Sequence, residues 1–508
     1  MKANRSLIGV SASLLILASG LVAVRFVSQA AEPPPRLHVD STPINREPQT
    51  GNSYSPIIKR VAPSVVNIYS SRIVRQRLYN PFTADPFFRR FFGAQDDDSG
   101  REVTSRDNWL GSGMVVTPDG YILTANHVVE GADEIKVGIK NDSTIYSAKV
   151  IGMDPPTDVA ILKIDAKDLP AVTLGDSDQL EVGDVVLAVG NPFGIGQTVT
   201  RGIISALGRS LSDPDDGRYH YQDFIQTDAA INQGNSGGAL VDAEGRLIGI
   251  NDAMISPSGA SAGIGLAVPV NMARNVMEGF LSRGKVSRGY LGVGSQDIDP
   301  GLARGFGAPN ADGALVTEVA NASPAARGGL LPGDVIVAIN GKEIASDDSL
   351  HVVISELAPG SKATVKVYRN GAPKSFVVTL TERPDPESNA SQPAAKSDDN
   401  NVAPPRADAL DGVEVQDLDR HLRLQLGAPP SVAGALVIRV SRTSNSFEAG
   451  LRRGDVIMEV NHQPVATAKE AESLCKAART EQIVVKIWHP ESGGEGRVRY
   501  LSVDNTKR

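Results

Sequence analysis

The chain has 508 residues, 41% hydrophobic and 22% charged, a soluble globular composition long enough for two to four domains. Its formal net charge of −8 and pI near 5.5 give no support for nucleic-acid binding. A single cysteine, Cys475, excludes an intramolecular disulfide and argues against a Cys-built zinc site or a thiol catalyst; its flanks, "AESLCKAA", read as a helix with a small buried hydrophobe.

At the amino terminus, Lys2 and Arg5 precede an apolar run from Leu7 to Val24, and Ser28 and Ala30 flank Gln29. This is the pattern of a secretory signal peptide over residues 1–30, cleaved after Ala30. The run is long and Arg25 interrupts it, so an uncleaved membrane anchor is the alternative. Residues 31–53, rich in proline and polar groups, are expected to form a disordered leader. From 54 to 283 the chain is rich in Gly and Val, with "GYILTANHVV", "DVAILKI", "DVVLAVG" and "LIGINDAM" separated by turn signals such as "PDG" and "NPFG". Many short strands with regular turns indicate a sandwich or barrel rather than a parallel α/β sheet.

An insertion at 74–108 interrupts this region, with five of the chain's twelve phenylalanines between 82 and 92. Arg89 and Arg90 split the aromatics and an acidic run follows, which argues against a buried strand. A partner contact and a fold back onto the same domain are the two readings. Beyond 288 the chain repeats itself: Gly313 and Gly434, Gly329 and Gly450, Asp334 and Asp455, Asn340 and Asn461 keep one common offset without a gap. The copies span 288–383 and 411–505. Residues 384–410 between them are poor in apolar residues and read as a flexible linker.

"INQGNSGGAL", residues 231–240, lies between the apolar runs "DFIQTDAA" and "LIGINDAM". Turn chemistry alone accounts for Gly, Asn and Ser there; a cradle around a nucleophile, Ser236, also does. A serine nucleophile needs a base and a group to orient it. Of seven histidines, His38 lies in the leader, His220 in a polar stretch, and His351, His421, His462 and His489 in the repeats. His127, at the end of an apolar strand in the same region as Ser236, is the best placed. Asp158 opens the strand "DVAILKI", where burial calls for a partner such as a histidine N–H. The order His127, Asp158, Ser236 is that of chymotrypsin-type β-barrel proteases.

"TANHVV", "DVAILKI", "GNPFGIGQTVTRGIISALGR" and "IQTDAAINQGNSGGAL" resemble the motifs of the HtrA/Deg family, the secreted serine proteases also called protease Do. The "GDVI" units and "RGYLGV" at 288–293 resemble PDZ domains. The resemblance implies a mainly β fold, a chymotrypsin-like double β-barrel followed by two PDZ domains, assembled as homotrimers or multiples of trimers. It implies ATP-independent degradation of misfolded proteins in the periplasm, with chaperone behaviour in some members. No cofactor is expected, and the lack of an HExxH pair and of histidines clustered in sequence argues against a metal. The absence of a GxxxxGK[ST] loop agrees with ATP independence. The alternative is a PDZ-bearing chaperone or scaffold whose protease domain is regulatory.

Within this resemblance, Gly234, Asn235 and Ser236 supply oxyanion-hole N–H groups. Ala230 stands where trypsin has an aspartate, and with Ile231, Ile264 and Leu266 implies a pocket for small aliphatic P1 residues. Asn235 stands where trypsin-like zymogens capture a new amino terminus with an aspartate, which excludes that activation route. Arg209 matches the family's activation-loop arginine instead. Tyr290, Leu291, Gly292 and Val293 match the carboxylate-binding loop of the first PDZ domain, the expected receptor for C-terminal peptides. The counterpart in the second, "GVEV" at 412–415, lacks the Leu-Gly pair; this counts against peptide binding there and leaves assembly as its role.

Overall fold

The strands are Val-, Ile- and Leu-rich runs that bury one or both faces, bounded by turns in which glycine takes positive φ. The computed structural model describes residues 35–44, 46, 53–77, 102–139, 144–191, 196–211, 221–232, 234–254, 263–384, 406–491 and 496–505. The expected signal peptide, His220 and the clustered phenylalanines lie outside the described residues. Among the described residues no helix is long and apolar enough to cross a membrane.

Two closed barrels come first. One contains β1 (Val65–Arg77), β2 (Glu102–Val115), β3 (Tyr121–Ala125), β4 (Glu134–Gly138), β5 (Ile145–Asp154) and β6 (Val159–Ile164), in the order β1-β2-β3-β6-β5-β4. The other contains β7 (Val185–Gly190), β8 (Thr198–Arg209), β9 (Phe224–Thr227), β10 (Ala239–Asp242), β11 (Leu247–Met254) and β12 (Gly265–Pro269). Its order, β7-β8-β9-β12-β11-β10, repeats the first. Ile68, Ile122 and Leu162 line the first barrel, and Val186, Ile225 and Leu240 the second. Successive strand residues face opposite ways, so Leu123, beside inward Ile122, points out of its barrel. There it joins Met114 and Ile161 against Leu187, Val189 and Ile250 of the second barrel. This buried seam fixes the loops of one barrel over those of the other. The fold is a mainly β, chymotrypsin-like double barrel.

Two smaller sheets follow. The first has strands Val293–Asp297, Ala314–Val319, Val335–Ile339, Lys362–Arg369 and Ala372–Thr379 in that order, with helix Asp347–Glu356. The second repeats it with Val413–Asp417, Ala435–Val440, Val456–Val460, Gln482–His489 and Arg497–Asp504, and helix Ala468–Ala477. Even the irregularities recur: Val293 pairs with Val319 and the register shifts after Gly294, while Val413 pairs with Val440 and shifts after Glu414. Gly412 therefore matches Gly292, and both have positive φ (66° and 80°). The counterpart of Tyr290–Val293 accordingly starts at Leu410, two residues before the stretch "GVEV". The two repeats touch: Gln296 exchanges hydrogen bonds with the Tyr500 backbone (2.8 and 3.0 Å), and Phe306 stands edge-on to Tyr500 and His462.

Some polar segments are more ordered than their composition implies. Within the expected disordered leader, Val39 bridges Leu174, Arg46 pairs with Asp184 (2.9 Å), and Arg246 donates to the Thr42 carbonyl (2.7 Å). Backbone pairing and the packing of Leu37 and Val39 against the seam supply what composition lacked. The ends of the 74–108 insertion continue β1 and β2 as a ladder out to Arg77 opposite Glu102. Residues 406–410, expected in the flexible linker, form a strand on Val413–Asp417.

Candidate active site

β3 and β6 are neighbours, with Ala125 opposite Val159. That register brings together the residues just beyond those strand ends. The Asn126 N–H donates to the Asp158 carbonyl (2.9 Å), and the His127 N–H to one Asp158 carboxylate oxygen (2.9 Å). The other carboxylate oxygen lies 2.6 Å from His127 Nδ1. Asp158 has φ +53°, the left-handed region, which turns the chain from Pro155–Thr157 into β6. Such a conformation costs a non-glycine residue about 1–2 kcal/mol. For His127, burial opposes protonation, but the hydrogen bond and charge of Asp158, then the charge of Asp252, outweigh it. Its pKa is raised above the ordinary 6.5.

Ser236 comes from the second barrel, between β9 and β10. Gly234 and Gly237 on either side have φ of +95° and +78°. A Cβ on Gly237 would lie 2.2 Å from the Ser112 carbonyl oxygen, so only glycine lets this turn close against the first barrel. Across that contact the Ser112 N–H donates to the Ser236 carbonyl (2.9 Å) and the Ser112 hydroxyl to the Gly234 carbonyl (2.7 Å). The Ser236 hydroxyl itself donates to the Asp252 carbonyl (3.0 Å). Its one proton is turned toward β11 rather than the imidazole, and a hydroxyl rotor redirects it readily. The Asn235 N–H donates to the Asn232 carbonyl (2.9 Å), so this member of the expected oxyanion trio is spent inside the turn.

The four expected pocket residues do not form one wall. Ile231 is buried with Ala267 in the second barrel, and a Cβ on Gly265 would lie 2.9 Å from its Cδ1. Leu266, next along β12, faces the opposite way into the seam. Ala230 and Ile264 are half-buried, and the Ala230 carbonyl accepts from Thr200 (2.8 Å). Arg209, at the end of β8, donates to Gln226 on β9 (3.0 Å). Its neighbours Ser210 and Leu211 bond Gln222, and Asp348 of helix Asp347–Glu356 lies beside Ser210. The expected activation segment is thus where the barrels meet the first repeat. In that repeat the Leu291 and Gly292 carbonyls accept from Ala325 (2.8 Å) and Ala320 (3.0 Å), which fixes the loop. A cleft of about 700 Å³ lined by His38, Asp40, Arg60, Glu244 and Arg246 shares none of these residues.

Sequence reasoning missed Asp252. Its signal was the one that singled out Asp158, an acid in an apolar strand, here "LIGINDAM". The side chain is 8% exposed, with Oδ1 3.6 Å from His127 Nδ1.

Two barrels of one topology, with a serine turn from the second docked beside a His–Asp pair from the first, are the architecture of a trypsin-like peptidase. The family model for the trypsin-like peptidase domain matches residues 111–250, and that for the PDZ domain matches 289–380. A probable periplasmic serine endoprotease, DegP-like, from Chlamydia trachomatis serovar D is 41% identical over 410 residues, 80% of this chain and 78% of the relative. Its namesake from Pseudomonas fulva is 39% identical over 450 residues, 83% of this chain and 89% of the relative. Among solved structures, the HtrA-type protease AlgW with decapeptide matches at TM-score 0.50 and 46% identity, over 66% of this chain and all of that one. The same protease with tripeptide matches at TM-score 0.51 and 43% identity, over 66% of this chain and 99% of that one. The chain belongs to the DegP-like, HtrA-type serine endoproteases.

Proposed function

We propose that this serine endoprotease acts in the periplasm without ATP, degrades misfolded proteins, and works as a homotrimer or a multiple of trimers. Ser236 is the nucleophile, His127 the base and Asp158 its orienting partner. The observation that carries this reading is the double grip of Asp158 on the His127 backbone N–H and Nδ1. With Nδ1 holding its proton toward the carboxylate, Nε2 is the lone-pair nitrogen. It takes the Ser236 proton as Oγ attacks the peptide carbonyl, then returns it to the leaving amine; water repeats the cycle on the acyl-enzyme. The Gly234 and Ser236 N–H groups stabilise the oxyanion, and losing one such donor typically costs about 100- to 1,000-fold in rate. Ala230 offers no carboxylate for a basic P1 side chain. The scaffold alternative is not favoured, because no member of the His–Asp–Ser set is missing. Casein digestion by the purified protein should stop on adding a serine-directed phosphonate. Mapped cuts should follow Val, Ala, Ile or Thr. Digestion unaffected by the phosphonate rejects the serine mechanism, and a majority of cuts after Lys or Arg rejects the pocket.

Both repeats are read as PDZ domains with different roles. A C-terminal peptide adds a strand to a sheet edge. Val293–Asp297 ends its sheet, and among the described residues nothing pairs with its outer edge. The matching edge of Val413–Asp417 carries Arg406–Leu410 instead. This supports peptide capture at Tyr290–Val293 and an assembly role for the second repeat. Because Asp348 of the first repeat lies beside Ser210, the neighbour of Arg209, a peptide there has a route to the activation segment. A hydrophobic C-terminal peptide should raise turnover of a small reporter within the about 5- to 150-fold range of typical coupling. Arg209→Ala should blunt the rise; a variant responding like wild type rules out this route.

A further inference from the structure

One imidazole nitrogen faces two carboxyl groups. The ligand atoms of His127, Asp158 and Asp252 all lie within 4.8 Å of one another. Asp158 has both oxygens engaged by His127 donors. Asp252, buried, is brought in by a local irregularity: between Asn251, opposite Ala267, and Met254, opposite Gly265, β11 carries one residue more than β12. Such bulges re-aim side chains beside active sites. The same residue supplies the carbonyl that accepts the Ser236 hydroxyl, so β11 touches all three members of the proposed triad.

Two buried carboxylates side by side repel, and one of them keeps its proton. Asp158, gripped by two donors, is the charged one. Burial and then the charge of Asp158 push the Asp252 pKa well above the ordinary 3.8, against the pull of His127. The other charged group near the imidazole is Glu130. The partners of β11 present uncharged residues at this end: Ala239 opposite Ile250, and Gly265 to Ala267 opposite Met254 to Asn251.

We propose that Asp252 is a positioning residue of the proteolytic site. In its acid form it donates a hydrogen bond to Asp158, and its ionisation, coupled to protonation of His127, sets the pH at which the protease shuts down on acidification. The proposal rests on the reading of Ser236, His127 and Asp158 as the triad. A charged imidazole favours the ionised form of Asp252, and an ionised Asp252 favours the charged imidazole, so the two bind their protons as a coupled pair. A neighbour able to become negative can only raise the pH at which the imidazole charges, relative to a neutral neighbour of the same shape.

The test is kcat and KM for a peptide reporter across pH, with wild type, Asp252→Asn, Asp252→Ala and Ser236→Ala. Asp252→Asn keeps a donor for Asp158 but cannot ionise. Its plateau kcat should fall about threefold, while the midpoint of its acid limb moves down by about one pH unit. Asp252→Ala loses the donor, and kcat should fall further, about tenfold or more, with KM little changed. An Asp252→Asn limb that coincides with wild type, or moves up, overturns the proposal even if Asp252→Ala does not fold. If Ser236→Ala still cleaves, the triad reading itself fails. If Ser236→Ala is dead and the Asp252→Asn limb has not moved, only the role of Asp252 falls.

Discussion

Ser236→Ala should abolish proteolysis, with kcat on a peptide reporter falling by about 10⁴-fold or more, while the melting temperature stays near that of wild type. The hydroxyl makes one neutral hydrogen bond, to the Asp252 carbonyl, and losing a bond of that kind costs about 1 kcal/mol. The turn is held by groups the substitution leaves in place. The Ser112 N–H still donates to the residue 236 carbonyl, and the Gly237 N–H to the Asn251 carbonyl (2.7 Å). Loss of activity in a protein that melts normally therefore reports on chemistry. Turnover at the wild-type rate would remove Ser236 from the mechanism.

Asp158→Asn should cost about 10⁴-fold in kcat near neutral pH, again without unfolding the protein. Asparagine tolerates the left-handed conformation at φ +53° nearly as well as aspartate does. Its amide oxygen can still accept the His127 backbone N–H, but its NH₂ group then faces Nδ1. An imidazole offered a donor at Nδ1 puts its own proton on Nε2, the nitrogen that has to receive the Ser236 proton. The variant also lacks the hydrogen bond and charge that raise the His127 pKa, so its residual activity should persist to lower pH than that of wild type. A rate within tenfold of wild type, with the same acid limb, would show that Asp158 is not the orienting group.

The barrels were legible because their information is local. Short apolar runs with turn signals every few residues specify strands, and a region built only of such strands has to close on itself or stack. His127 and Asp158 were also visible locally, as a histidine ending one apolar strand and an acid opening another; the register of β3 with β6 sets them side by side. What the sequence hid depends on strand phase and edges. Ile231 and Leu266 look like one apolar wall until β12 turns Gly265 toward Ile231 and Leu266 away. Asp252 reaches His127 through an extra residue in β11, which no periodicity reveals. Residues 39–42 and 406–410 are ordered by backbone pairing and by single contacts to the sheets, and composition does not register a hydrogen bond to a neighbouring strand.

The contact between the repeats, through Gln296, Phe306, His462 and Tyr500, joins two parts of one chain. If the second repeat lets go, it stays covalently joined to its partner, so its return is an intramolecular step with an effective concentration of its own. Recapture then competes on favourable terms with any other molecule seeking the surface around Phe306. An outside partner displaces the second repeat only by outcompeting a ligand that never diffuses away.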